Sequence, residues 1–143
     1  MVGLIDGSLS TLAPIFGIAF YTHKPHAAFV AGLATSIGAG ISMAYSEGLS
    51  DTGELTGRGS PAVRGAITGT GTFIGGILHT LPFLIPHYRE AVIAAAIVVA
   101  FELVGLAILR WRFFGTSFGR SLLAISIGGA VIALVGALIG SSA

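Results

Sequence analysis

The chain has 143 residues, 54% hydrophobic and only 9% charged, with a formal net charge of +1 and no cysteine. A soluble domain carries about a quarter charged residues, so this chain cannot cover a water-facing surface. A near-neutral balance without a basic stripe leaves no nucleic-acid footprint, and the missing cysteines exclude disulfides, Cys–zinc sites and thiol catalysis.

The expected architecture is an all-α integral membrane protein with one transmembrane domain over residues 1–143. A spanning helix needs about 20 mostly apolar residues. Five stretches qualify: Leu4–Tyr21, Ala27–Leu49, Ala62–Ile85, Glu90–Leu109 and Ser121–Ile139. The breaks between them carry turn chemistry, including the Gly/Ser/Asp-rich loop over 50–61. The first stretch lacks the basic flank and cleavage site of a secretory signal. The apolar runs are too long for strands and do not alternate.

Span one carries Asp6, Ser10, Ala13 or Pro14, and Gly17 on a small polar face. Pro14 has no N–H, so it frees the Ser10 carbonyl and places a hinge in mid-span. Span two is the sharpest element. Ser36, Gly40, Met43 and Glu47 fall at i, i+4, i+7 and i+11, within a wedge of about 60° on a helical wheel. That face presents a hydroxyl, bare backbone, a thioether and a carboxylate in a column, with Ser42 close by. A carboxylate in hydrocarbon costs a few kcal/mol at least, so a cation or a proton is the expected partner of Asp6 and Glu47. Oxygen-only sites suit magnesium or calcium, whereas a methionine sulfur turns the site toward a softer transition metal, Fe2+ or Mn2+. A methionine in a membrane helix is more often core filler, and a terminal acid can simply complement the helix dipole.

Asp51 and Glu54 lie in the loop after span two, where they can gather cations at the cytoplasmic mouth or be plain solvated charges; their spacing is not that of an EF-hand. Span three has Gly65, Gly69, Thr72, Gly76 and His79 on one face, and Pro82 and Pro86 make its outer end irregular. Its glycines superficially suggest a phosphate loop, but no strand precedes them and no lysine follows. Glu102 lies inside span four and can pair with His79, ligate a second metal or carry a coupled proton. His79 is a candidate ligand or proton relay, and a packed histidine is the plainer alternative. Span five aligns Gly129, Ala133, Gly136 and Gly140. Small residues at this spacing let membrane helices approach closely, and a slim bundle of five such helices is most economically a homodimer with its path at or near the subunit interface.

Orientation follows the basic residues. With a cytoplasmic N-terminus the inner loops and flanks hold Arg58, Arg64, Arg110, Arg112 and Arg120, against Lys24 and Arg89 outside, which favours N-terminus in and C-terminus out. Trp111, Phe113 and Phe114 suit an interfacial belt.

The stretch Asp6-Gly7-Ser8-Leu9-Ser10-Thr11-Leu12-Ala13-Pro14 resembles the first-helix motif of the vacuolar iron transporter family. Gly38 to Glu47, with methionine and glutamate four apart, resembles its second-helix motif, and Gly75 to Phe83 and the glycine-rich last helix are also similar. Leu55-Thr56-Gly57-Arg58-Gly59 and Phe101-Glu102-Leu103 resemble the membrane domain of bacterial membrane-bound ferritins, in which a rubrerythrin-like ferritin domain precedes the transporter. The resemblance implies a five-helix homodimer in a bacterial inner membrane. It would export Fe2+, and secondarily Mn2+, from the cytosol in exchange for protons. It implies metal contacts at Asp6 and Met43 and also Glu47, no cofactor beyond the transported ion, and a ferritin-like domain as an absent partner. His79 and Glu102 are outside the general motif. The Glu-rich helical insertion between helices two and three of eukaryotic members is replaced by a short loop. No nucleophile–base pair marks an enzyme. Two other readings stay open: a small proton-coupled cation or drug exporter, for which the aromatic cage around the acid is thin, and a non-transporting scaffold that dimerises through its glycine faces.

Overall fold

The computed structural model describes residues 1–54 and 56–143. Leu55, which opens one of the motifs above, lies outside them. The described residues are helical and contain no strand. The elements are α1 (Val2–Ser10), α2 (Leu12–Thr22), α3 (Pro25–Ser50), α4 (Pro61–Leu78), a 3-10 turn (Leu81–Leu84), α5 (Tyr88–Phe114) and α6 (Phe118–Ser142).

Four stretches are long and apolar enough to cross a membrane: Val2–Thr22, Pro25–Ser50, Tyr88–Phe114 and Phe118–Ser142. Large apolar side chains stand exposed along them, among them Leu49, Ile93, Phe101, Leu123 and Ile139. These features mark an integral membrane protein. The third expected span is not among the four. Where one helix over 62–85 was expected, α4 stops at Leu78 and the chain turns through His79 and Thr80 into the 3-10 turn. The prolines explain this: Pro82 and Pro86 cannot donate to a helical ladder. α4 turns a glycine-rich face into the protein and leaves Val63, Ile67, Ile74 and Leu78 exposed. It packs against α3 on one side and α1 on the other, and Gly65, Gly69, Thr72, Gly75 and Gly76 are buried there.

Span one is also two pieces. α1 ends at Ser10, Thr11 is the break, and α2 begins at Leu12. The Thr11 N–H turns to the Leu9 carbonyl, and its hydroxyl donates to the Gly7 carbonyl at 2.8 Å. Pro14, just beyond, withholds the N–H that Ser10 would have received. The other helices run longer than expected. Pro25 starts α3 at its first position, as proline's fixed φ allows. α5 continues through Arg110, Trp111 and Arg112 to Phe114, because long basic side chains lie along apolar surface while their heads reach water.

Glycine decides the packing. A Cβ at Gly7 would land on the Thr72 carbonyl of α4, one at Gly69 on the Gly40 carbonyl of α3, and one at Gly140 on the Gly17 carbonyl of α2. The glycine faces expected on spans two, three and five therefore exist, and each is occupied inside the protomer by a neighbouring backbone. A core of Leu12, Ile15, Phe16, Ala19, Ala28, Phe83, Ala91 and Ala95 ties α2, α3, the 3-10 turn and α5 together.

Candidate functional site

Three polar groupings interrupt this apolar bundle. The first is Asp6. Gly3 and Gly7 on its helix pack onto the backbone of α4 at Thr68 and Thr72, which brings α1 close and leaves Asp6 half-buried beside the contact. Among the described residues Asp6 makes no side-chain hydrogen bond or ion pair. Ser10, one turn further, is exposed.

The second grouping is the column on α3. Ser36 and Gly40 are buried, Met43 and Glu47 half-buried, and Ser42 exposed. The Ser36 hydroxyl donates back to the Gly32 carbonyl at 2.7 Å and lies against Gly76 of α4, so the upper part of the column is α3–α4 packing. Its lower end is an arginine clamp. Glu47 Oε1 accepts from Arg58 Nη2 at 2.9 Å and from Arg64 Nε at 3.1 Å. Arg64 also donates to the Gly59 carbonyl and the Asp51 carbonyl, each at 2.7 Å. Asp51 accepts from the Thr56 hydroxyl and from the Gly53 N–H at 2.7 Å. These two bonds, aided by the Arg64 and Arg58 charges, hold its carboxyl below the ordinary value of 3.8. Asp51 thus pins the loop to the end of α3, and Glu54 is exposed in the same loop. Sequence reading used Arg58 and Arg64 only for orientation and missed the clamp. The available signal was two arginines within 17 positions of an acid that needs a partner.

The third grouping is the most buried. His79, at the end of α4, is fully buried, and 8% of the Glu102 side chain is exposed. Thr11 Oγ1 and His79 Nε2 are 2.7 Å apart, and His79 Nδ1 and Glu102 Oε2 are 2.7 Å apart. A hydrogen-bonded line therefore runs from the α1–α2 break through the end of α4 to α5. Both ring nitrogens of His79 are engaged within it. Among the described residues Glu102 Oε1 is buried with no partner. Beside it lies a cavity of about 150 Å3 lined by Leu4 and Ser8 of α1, Gly75 and Leu78 of α4, and Glu102 and Leu106 of α5. The pairing of His79 with Glu102 was one of the expectations above. Thr11 was not, because the helix break that turns its side chain inward leaves no periodic trace in the sequence.

Among the described residues no three His, Asp or Glu side chains converge as a metal cluster. A metal on Asp6 needs ligands of another kind or from a second copy of the chain. In comparisons with known proteins, no family model, no curated protein and no solved structure matches this chain.

Proposed function

We propose that the protein is a proton-coupled exporter of a divalent transition metal, Fe2+ first and Mn2+ second, working from the cytosol outward across a bacterial inner membrane. It has the five-helix, N-terminus-in, homodimeric arrangement of the family that its motifs resemble. In this arrangement α4 is the fifth crossing, held between α1 and α3 on its glycine face and presenting Val63, Ile67 and Ile74 outward. The observation that carries the reading is Asp6, a half-buried carboxylate on an apolar spanning helix with no partner among the described residues. An acid in that setting calls for a cation, and the exposed Ser10 one turn on leaves room for a second copy to complete the site.

In this reading Asp6 and Met43 contact the ion, and the methionine sulfur favours Fe2+ or Mn2+ over magnesium. Glu47 joins only when Arg64 and Arg58 release it, which makes the clamp a gate on the cytoplasmic side. Ser10 and Ser42 are auxiliary polar groups, Asp51 shapes the mouth, and Glu54 adds negative charge there. The purified protein should bind Mn2+, read by electron paramagnetic resonance, and lose that binding in Asp6→Asn. Undiminished binding in that variant would remove Asp6 from the site.

A further inference from the structure

Thr11, His79 and Glu102 together constrain where protons sit. The Thr11 hydroxyl has one hydrogen, and it is directed at the Gly7 carbonyl. Thr11 Oγ1 can then only accept from His79, so Nε2 carries a hydrogen. The 2.7 Å contact between Nδ1 and Glu102 Oε2 needs one further proton, since two lone pairs at that distance repel. It resides on Glu102 with neutral histidine or on His79 with ionised glutamate. Either way the pair holds one proton more than a neutral histidine beside a free carboxylate.

We propose that Thr11, His79 and Glu102 form a proton-binding site whose occupancy latches the break between α1 and α2, so that losing the proton frees the segment that carries Asp6. The link to metal movement rests on the transport reading above; the latch itself does not. On release, the Nε2 proton passes to Thr11 Oγ1 and the former hydroxyl proton leaves to a water. The proton between Nδ1 and Oε2 settles on Nδ1. The result is a neutral histidine donating to an ionised glutamate, with the Thr11 hydroxyl now pointing at Nε2. One proton has gone to solvent, and the Gly7 carbonyl has lost its hydroxyl donor. That carbonyl lies at the junction where Ser10 already lacks a donor because of Pro14. The same residue, Gly7, seats α1 on α4. The buried Oε1 of Glu102 has no partner among the described residues, so it can accept one further hydrogen bond when the carboxylate ionises.

Other titratable groups near these helices are few. α1 contributes Asp6. α2 has Tyr21 at its far end. α3 has His26 in its first turn, Tyr45 exposed near its far end, and Glu47, which meets Arg64 of α4 in the clamp. α5 has Tyr88, Arg89 and Glu90 at one end and Arg110 and Arg112 at the other, and α6 has Arg120. Asp6 is therefore the competitor to exclude.

The test is hydrogen–deuterium exchange of the metal-free protein in lipid nanodiscs, followed over pH and corrected for intrinsic exchange rates, on the amides around Thr11. Wild type should lose protection several-fold as pH rises. Glu102→Gln supplies a permanent N–H to Nδ1 and should stay protected at every pH. Thr11→Val should be unprotected at every pH, whereas Thr11→Ser, which keeps the hydroxyl, should follow wild type and controls for folding. Asp6→Asn should also follow wild type. A wild-type profile flat with pH, a pH response surviving in Glu102→Gln, or one abolished in Asp6→Asn would each overturn the latch. Because no metal is present, these outcomes leave the transport reading standing. A pH-responsive latch in a protein that moves no metal would do the reverse.

Discussion

Replacing Arg64 with methionine keeps an apolar stem and removes the three hydrogen bonds of the guanidinium, to Glu47 at 3.1 Å and to the Gly59 and Asp51 carbonyls at 2.7 Å each. Hydrogen bonds to charged groups contribute about 1.5–3 kcal/mol each, but water can replace part of two of them in an open loop. Only 12% of the Arg64 side chain is exposed, so its bond to Glu47 keeps most of its worth. A net loss of about 2–3 kcal/mol follows. Arg58 touches the same Glu47 oxygen at 2.9 Å with 52% of its side chain exposed, and an exposed pair contributes less than about 1 kcal/mol. Arg58→Met is therefore nearly silent. The assay is unfolding in mixed micelles by increasing sodium dodecyl sulfate, with loop cleavage by trypsin as a second readout. The expected order is Arg64→Met well below Arg58→Met, and Arg58→Met close to wild type. Equal losses in the two variants, or a neutral Arg64→Met, would refute the clamp as the anchor of the loop.

Three further outcomes follow from the geometry. Gly7→Ala drives a Cβ into the Thr72 carbonyl and should cost about 2–3 kcal/mol as an overpacked contact. Gly38→Ala, with nothing within 4 Å, should be neutral or gain about 0.5–1 kcal/mol from helix propensity; the same unfolding titration separates them. Asp51 has a depressed carboxyl pKa, so its contribution is full above 3.8 and is lost as pH falls through the lower folded value. Protease susceptibility of the 51–60 loop should rise on acidification in wild type, whereas Asp51→Asn should be loose already at neutral pH and respond much less. Met43→Ala should weaken Mn2+ binding about tenfold and relax the preference for Mn2+ over magnesium, read by competition in the resonance titration.

The sequence made the helical class, the membrane setting and the small-residue faces legible, because hydropathy and a 3.6-residue period are properties of single helices. It offered His79 as one of three partners for Glu102, beside a metal and a coupled proton, because polar groups inside apolar runs have few alternatives to each other. It did not show what the glycine faces pack against. Gly69 meeting Gly40 and Gly140 meeting Gly17 are choices made between helices, and the period of one helix does not encode its neighbour. Helix ends were the other gap. Arg110–Phe114 read as a loop by composition, yet the ladder runs on because basic and aromatic side chains are at home where a membrane meets water. Thr11 reads as an ordinary residue of a continuous helix, and only the break there makes it the partner of His79. Glu47 shows the opposite failure: the column with Met43 is real, but the loop folds back to place two arginines on its acid.

The central claim is that Asp6 moves a divalent metal against protons. Reconstitution in liposomes, with Fe2+ uptake and internal pH followed together in wild type and Asp6→Asn, tests it most directly. The account predicts metal flux with opposite proton movement in wild type, and loss of both in Asp6→Asn at unchanged folding. Absence of flux from folded wild-type protein, or equal flux in the variant, would contradict it.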